Sequence, residues 1–173
     1  MCCCCFWEAR GRIYTANYGG SSFSALALGE GGEVGEVVHL DTFPLEGEQC
    51  RDASHPHHTA VRGEWVWVVD LGCDVVRTYR AWEGGLEARG VTRVEEGAGP
   101  RHLALHPTLP LAFLACELQS RVQVGVATIT STTTPTVVQV YRTDATSGSL
   151  TLLQDLPFSS TESDAGAEIL IQV

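Results

Sequence analysis

The chain has 173 residues, of which 44% are hydrophobic and 18% charged, and a formal net charge of −10 at pH 7. This composition is typical of a globular domain with a hydrophobic core and not of a disordered chain. The negative charge argues against nucleic acid or an anionic membrane as a partner, and the lack of lysine excludes Schiff-base chemistry and a P-loop.

The chain opens on four consecutive cysteines, Cys2–Cys5, which do not have metal-ligand spacing. We expect residues 1–11 to be an unstructured cysteine-rich start, with palmitoylation as an alternative role for these cysteines. Cys50, Cys73 and Cys116 are scattered singly, which predicts buried, reduced thiols in a cytoplasmic protein. No apolar stretch approaches the roughly 18 to 20 residues that a membrane-spanning helix needs.

Short segments rich in β-branched and aromatic residues predict β-strands along the whole chain. They are Arg12–Tyr18, Ser22–Leu28, Glu36–Leu40, Glu64–Leu71, Asp74–Arg80, Leu111–Leu118, Arg121–Ala127, Thr136–Thr143 and Ser149–Leu156. No long segment has the apolar periodicity and the caps of an α-helix. The sequence therefore predicts an all-β domain, with the Thr-rich segment 128–136 as a loop insertion or a ragged strand edge.

The strands belong to an internal repeat. PHHTAV (Pro56–Val61) and PRHLAL (Pro100–Leu105) share proline, the second histidine and alanine, and the similarity continues into VVDLGCDVVRTYR and LACELQSRVQVGV. An earlier copy, YTANYGGSSFSAL, contributes Asn17, and AEILIQV at the end resembles the opening strand of a further copy. A repeat of about 45 to 50 residues with about four short strands is typical of a β-propeller blade. We therefore expect residues 12–173 to form three to four four-stranded blades, a fragment of a larger ring.

Candidate functional residues recur at equivalent places in the repeat. The first strand of each propeller blade lines the central channel, so His57 and Arg101 are expected to face the same cavity. Asp70 and Glu117 are expected to share a second equivalent position at the end of the following strand. A histidine, an arginine and two carboxylates could perform acid–base chemistry on a polar anion. The alternative is that these motifs only form turns at blade corners.

A metal site and a serine hydrolase site are two less well supported interpretations of the sequence. His55, His57, His102 and His106 could ligate a metal, but Pro56 separates the first pair and no acidic cluster flanks them. A serine hydrolase is not supported, since no G-x-S-x-G motif occurs. We predict that Trp65 and Trp67, which alternate along one strand, pack in the core between blades.

The ordered motifs YTANYGGSSFSALAL, HPHHTAV, VVDLGCDVVRTYR, GAGPRHLALHP and ACELQSRVQV resemble the lactonase family of seven-bladed β-propellers. That family contains the cycloisomerase-2-type 6-phosphogluconolactonases and the carboxymuconate-lactonizing enzymes. The resemblance runs from about Arg12 to Val173. It implies an active site formed by His57, Arg101 and Glu117. Two positions depart from the family pattern: Cys116 replaces an asparagine, and His58 replaces a serine. The family's further channel arginine is expected beyond Val173.

The resemblance implies hydrolysis of 6-phosphogluconolactone in the pentose phosphate pathway, with neither a metal nor an organic cofactor. His57 and Glu117 would be the acid and the base, and Arg101 would stabilise the oxyanion or bind the substrate anion. We expect His55, Asp70 and His102 to contribute to substrate binding. The alternatives are a muconate-type lactonizing cyclase and a non-catalytic propeller scaffold. Three blades with raw sheet faces could also self-associate.

Overall fold

Three antiparallel sheets of four strands each, together with a 3₁₀ helix at Tyr18–Gly20, account for the regular structure of the described residues. The computed structural model of the protein describes residues 2–7, 11–43, 50–51, 53–118 and 137–157. Blade 1 consists of β1 (Cys2–Trp7), β2 (Arg12–Asn17), β3 (Ser22–Leu28) and β4 (Val34–Thr42). Blade 2 consists of β5 (Pro56–Arg62), β6 (Trp65–Asp70), β7 (Val75–Trp82) and β8 (Gly85–Arg93). Blade 3 consists of β9 (Pro100–Leu105), β10 (Leu111–Cys116), β11 (Val137–Thr143) and β12 (Leu150–Pro157).

The all-β propeller architecture predicted from the repeat is confirmed. Within each sheet the strands are hydrogen-bonded in chain order, as expected when short turns connect neighbouring strands. The first strands of the blades lie side by side, with β1 beside β5 and β5 beside β9. Strand β8 was not predicted, and β5 and β9 were expected as the first strands of their blades although they are not among the strand segments named above. The predicted strand Arg121–Ala127, the Thr-rich loop and the final AEILIQV lie outside the described residues.

The prediction of an unstructured start at residues 1–11 is wrong for the cysteine run. Cys2–Trp7 form β1, which pairs with β2 along its whole length, from Cys2 opposite Asn17 to Trp7 opposite Arg12. These residues therefore supply the first strand of blade 1. Consecutive cysteines carry little of the β-branched and aromatic pattern by which strands are recognised, so the segment was not predicted as a strand.

Blade 2 is the centre of the core, because both faces of β6 are covered. All six residues of β6 are buried. Alternate side chains point to opposite faces of a strand, and accordingly Trp65 and Trp67 pack toward blade 3 while Val66 and Val68 pack toward blade 1. The predicted packing of the two tryptophans between blades is thus confirmed.

The two tryptophans also hold the turn between β11 and β12. Trp65 Nε1 donates to Ala145 O at 2.9 Å and Trp67 Nε1 donates to Gly148 O at 2.8 Å. Gly148 has a φ of +69°, and a Cβ there would lie 2.3 Å from the Trp65 ring. Buried indole N–H groups need an acceptor, and this turn supplies both without leaving room for a side chain.

Cys50 and Cys73 form a disulfide that ties the segment before β5 to the turn between β6 and β7. The prediction of reduced thiols is therefore wrong for these two residues. Arg51 N donates to Gly72 O at 3.0 Å, so the backbone of the two segments is already in contact beside the bridge. Cys116 is a free, buried thiol, as predicted. Among the described residues, no helix is long and apolar enough to cross a membrane.

Candidate active site

His57 and Arg101 occupy the same irregular position in two neighbouring blades. In blade 2, Pro56 pairs with Asp70 and His58 pairs with the residue before Asp70, which leaves His57 as an extra residue in β5. In blade 3, the pairing of β9 with β10 shifts in the same way and leaves Arg101 as the extra residue. Such β-bulges re-aim a side chain out of the regular alternation of a strand. Both side chains consequently meet where β5 and β9 lie side by side.

Arg101 joins the two groups that the sequence assigned to acid–base chemistry. Its Nε lies 3.2 Å from His57 Nε2 and 3.0 Å from Glu117 Oε2. The side chains of Arg101 and Glu117 are 17% and 29% exposed. An ion pair of this kind is only partly screened by water, and the carboxylate can still be reached from solvent. The structure therefore brings His57, Arg101 and Glu117 together, as predicted.

His57 is held in its neutral form. Arginine is always protonated and can only donate, so His57 Nε2 accepts from Arg101 and the imidazole proton resides on Nδ1. Burial, the Arg101 charge and His102 together lower the pKa of His57 to about 4. His57 Nδ1 is itself buried and has no hydrogen-bond partner among the described residues.

Further histidines surround this cluster. The His102 ring lies 5.1 Å from the His57 ring and 4.8 Å from the His58 ring, measured between centroids. Burial and the two neighbouring histidines lower the pKa of His58 to about 4, and its Nδ1 accepts from Leu103 N at 3.4 Å. His58, for which no role was predicted, thus links β5 to β9.

His55 and Tyr18 form the blade 1 side of the cluster. The Tyr18 ring stacks on His55 with a centroid distance of 4.4 Å and meets His57 edge-on at 5.8 Å. His55 Nδ1 also lies 3.1 Å from Tyr18 O. Sequence reasoning missed Tyr18, although it follows the last residue of β2 as Glu117 follows the last residue of β10. That shared position was the signal that could have found it.

Asp70 does not share the position of Glu117, so that expected equivalence is wrong. Asp70 pairs with Pro56 in the same way that Cys116 pairs with Pro100, which makes Asp70 the counterpart of Cys116. A shift of one residue along a strand turns a side chain to the opposite face. Asp70 accordingly points into the blade and away from the Arg101 cluster.

The oxygens of Asp70 are used for structure. The residue is 0% exposed, and its carboxylate accepts from Ser54 Oγ at 2.5 Å and His55 N at 2.9 Å. It also accepts from Cys73 N at 3.2 Å and forms a buried ion pair with Arg77 Nη2 at 3.0 Å. A fully buried carboxylate with four donors stabilises the fold and does not reach a substrate, so we omit Asp70 from the site proposed below.

The described part of the chain contains no group of three or more His, Cys, Asp and Glu side chains arranged to hold a metal ion. His106, one of the ligands considered, lies at the opposite end of β9 from Arg101. Its Nδ1 accepts from Thr108 N and Leu109 N, at 3.2 and 3.0 Å. His106 therefore shapes an exposed turn.

The fold and the cluster define a β-propeller with an arginine, a carboxylate and histidines converging beside its inner strands. Residues 1–172 match the model of the family described as Lactonase, 7-bladed beta-propeller, and the chain belongs to that family. It is 33% identical over 116 residues to the 6-phosphogluconolactonase of Bacillus subtilis (strain 168), covering 64% of this chain and 32% of that protein. It is 30% identical over 148 residues to the 6-phosphogluconolactonase of Pectobacterium carotovorum subsp. carotovorum (strain PC1), covering 83% and 37%.

Solved structures show the same fold. A protein from Lactobacillus plantarum superposes with a TM-score of 0.72 at 28% identity, covering 94% of this chain and 43% of that one. The periplasmic gluconolactonase of Pseudomonas aeruginosa superposes with a TM-score of 0.72 at 22% identity, covering 91% and 42%. The chain spans about a third of the length of the two curated 6-phosphogluconolactonases described above.

Proposed function

We propose that the protein hydrolyses a sugar lactone, with 6-phosphogluconolactone as substrate and 6-phosphogluconate as product, as in the pentose phosphate pathway. The observation that carries this proposal is that Arg101 Nε lies within 3.2 Å of both His57 Nε2 and Glu117 Oε2. The names of the two 6-phosphogluconolactonases similar to this chain support the substrate class.

Glu117 is the better candidate for the general base. The lone pair of His57 Nε2 already accepts from Arg101, and the low pKa of His57, about 4, makes it a weak base. The Glu117 carboxylate is 29% exposed and can contact a water molecule. Glu117 takes a proton from that water while the water oxygen bonds to the lactone carbonyl carbon.

Arg101 stabilises the negative charge that develops on the carbonyl oxygen, because a fixed cation in a partly desolvated site is a strong oxyanion partner. The carbon–oxygen bond of the ring then breaks, and protonated Glu117 returns its proton to the ring oxygen, which becomes the free hydroxyl. His57, held neutral, keeps the guanidinium oriented between them. His55 and His102, beside His57, remain our candidates for contacts to the sugar hydroxyls or phosphate.

The experiment that tests this proposal is a steady-state assay on the native protein, with the spontaneous rate of lactone hydrolysis subtracted. Glu117→Gln should lower kcat by about 10²- to 10⁴-fold and Arg101→Ala by about 10²- to 10³-fold. Arg101→Lys should recover little, because an ammonium cannot reproduce the planar fork of the guanidinium. The matched control is Arg89→Ala, which removes an exposed arginine paired with Glu87 at 2.9 Å on the outer strand of blade 2. Wild-type turnover in both Glu117→Gln and Arg101→Ala would contradict the proposal.

The cytoplasmic location remains a prediction, and the Cys50–Cys73 disulfide gives it a direct test. Disulfides persist in oxidising compartments and are rare in the cytosol. The bridge in the structure therefore weighs against the cytosol, and a cytoplasmic location requires that thiols trapped during rapid acid lysis and mapped without reductant show Cys50 and Cys73 reduced. A linked Cys50–Cys73 peptide would contradict the cytoplasmic location.

A further inference from the structure

Asp74 lies in the turn between β6 and β7 with an unusual backbone. It has a φ of +52° and is 5% exposed. A left-handed conformation is uncommon for residues other than glycine, although aspartate and asparagine tolerate it best. Such a conformation persists only where the surroundings hold it. The surroundings of Asp74 lie mainly in the next connection along the chain.

Both carboxylate oxygens of Asp74 hold the loop that leads from blade 2 into blade 3. Gly97 N donates to Oδ2 at 2.8 Å and Gly99 N donates to Oδ1 at 2.7 Å. Arg51 Nη2 lies 3.8 Å from the same Oδ1, and Asp74 O accepts from Val94 N at 2.9 Å. Two hydrogen bonds from backbone N–H groups to one buried carboxylate leave this loop little freedom to move.

The same loop is hydrogen-bonded to the backbone of Glu117 and leads directly into Arg101. Glu117 N donates to Gly99 O at 2.8 Å and Leu118 N donates to Ala98 O at 3.0 Å. Arg101 follows Gly99 by two residues and is the extra residue of the bulge in β9. Gly99 has a φ of +60°, and a Cβ there would lie 2.7 Å from the Leu118 side chain, so the loop fits closely against the residue after Glu117.

We propose that Asp74 is a positioning residue that sets the distance between Arg101 and Glu117 by fixing the loop 97–99 from which both are held. The inference rests on the proposed function for its catalytic consequence, but its geometry stands on the contacts above. Asp70, in the same β6–β7 region, has a different role, because its side chain bonds stay within blade 2 and the segment before it. The side-chain hydrogen bonds of Asp74 cross to the loop that begins blade 3.

Two variants separate the carboxylate from the backbone conformation of Asp74. Asp74→Gly removes both acceptors and suits a positive φ, while Asp74→Asn keeps one acceptor and also tolerates the left-handed region. The matched control is Asp144→Ala. Asp144 similarly accepts from Thr146 N and Ser147 N, at 2.9 and 2.7 Å, but it lies in the β11–β12 turn at the opposite end of blade 3.

The first measurement is an NMR titration of the His57 ring in the full chain, with its signal assigned by loss in His57→Gln. Arg101 is one of the groups that lower the pKa of His57, after burial and before His102. If Asp74→Gly frees the loop, Arg101 moves away and the pKa of His57 rises from about 4, in the direction that Arg101→Ala also moves it. Asp74→Asn should give a smaller rise, and Asp144→Ala should leave the titration unchanged.

The second measurement is kcat and KM for 6-phosphogluconolactone. A misplacement of about 1 Å costs on the order of 10²-fold, so we expect Asp74→Gly to lower kcat by about 10- to 100-fold, and Asp74→Asn by less. A shifted His57 titration without any lactonase activity in the wild type would support the positioning role and refute the proposed function. An unchanged His57 titration in folded Asp74→Gly would overturn the positioning role, whatever the activity. If Asp74→Gly does not fold, Asp74→Asn decides by the same criterion.

Discussion

Removing the Asp70 carboxylate should strongly lower the free energy of unfolding of the protein, and the contacts of Asp70 indicate the size of the effect. Asp70→Ala deletes the acceptor of four donors and leaves the Arg77 guanidinium, whose side chain is 7% exposed, without its 3.0 Å partner. Breaking a buried ion pair from one side costs about 3–5 kcal/mol. A loss of this size corresponds to a fall of about 10 °C in Tm for a chain of this length.

The assay is urea denaturation of Asp70→Ala beside Asp70→Ala/Arg77→Met. The double variant also removes the Arg77 charge that has lost its carboxylate, and it places an apolar side chain beside the Phe43 ring, whose centroid lies 4.0 Å from the Arg77 guanidinium carbon. It should recover only the part of the loss that comes from the Arg77 charge, because Ser54 Oγ, His55 N and Cys73 N still lack their acceptor in the double variant. Glu87→Ala, which breaks an exposed pair with Arg89, is the control and should change stability by less than about 1 kcal/mol. A destabilisation below about 1 kcal/mol in Asp70→Ala would refute a structural role for Asp70.

Three further predictions follow from other parts of the structure. The pKa values of His57 and His58 are about 4 in the folded protein and 6.5 for an unperturbed histidine. Between pH 4 and pH 6.5 the unfolded chain therefore binds more protons than the folded protein. Stability should therefore fall as the pH is lowered from 6.5 to 4, and equal slopes for the wild type and His57→Asn/His58→Asn in urea titrations would contradict this. Gly148→Ala should lower the free energy of unfolding by at least about 2 kcal/mol, because its Cβ would collide with Trp65 and its φ is +69°. Gly63→Ala, with a φ of +59° and nothing within 4 Å of the added Cβ, should lower it by about 1 kcal/mol. Equal melting temperatures for the two glycine variants would count against the close fit of the turn. Burial raises the pKa of Cys116 to about 12, so iodoacetamide at pH 8 should leave Cys116 unmodified in the folded protein and modify it in urea; rapid native labelling by peptide mass would show that the thiol is accessible.

The sequence predicted the fold and the core of the site because the repeat aligns the inner strands without a gap. Pro56 and Pro100 open β5 and β9, so His57 and Arg101 fall at the same place in both. The second strands could not be aligned in the same way. The β5–β6 connection has two residues, 63–64, and the β9–β10 connection has five, 106–110. The unequal turns change the sequence spacing between the first and second strands, so the sequence alone does not show which residues of β6 and β10 correspond, and an error of one residue moves a side chain to the opposite face. This is why Asp70 was matched to Glu117 when its counterpart is Cys116.

Other features depend on contacts between segments that are distant in the sequence, which no local pattern records. Tyr18 reaches His55 and His57 only because blade 1 packs beside blade 2. The Cys50–Cys73 pairing joins a loop to a turn, and disulfide connectivity cannot be deduced from cysteine spacing alone. The role of Asp74 was not visible either, since its partners Gly97 and Gly99 lie more than twenty positions later in the chain.

The bulges in β5 and β9 place two residues of the candidate site outside the regular strand pairing. His57 and Arg101 are the extra residues of the two bulges, and the strand pairing on either side of them is complete. A mutation at either position can exchange an imidazole for a guanidinium, a carboxylate or an amide while every neighbouring strand pair keeps its partners. Blades 2 and 3 therefore each offer one site where the side chain can change under little constraint from strand pairing. A scaffold built from such blades can change the reaction it performs one residue at a time.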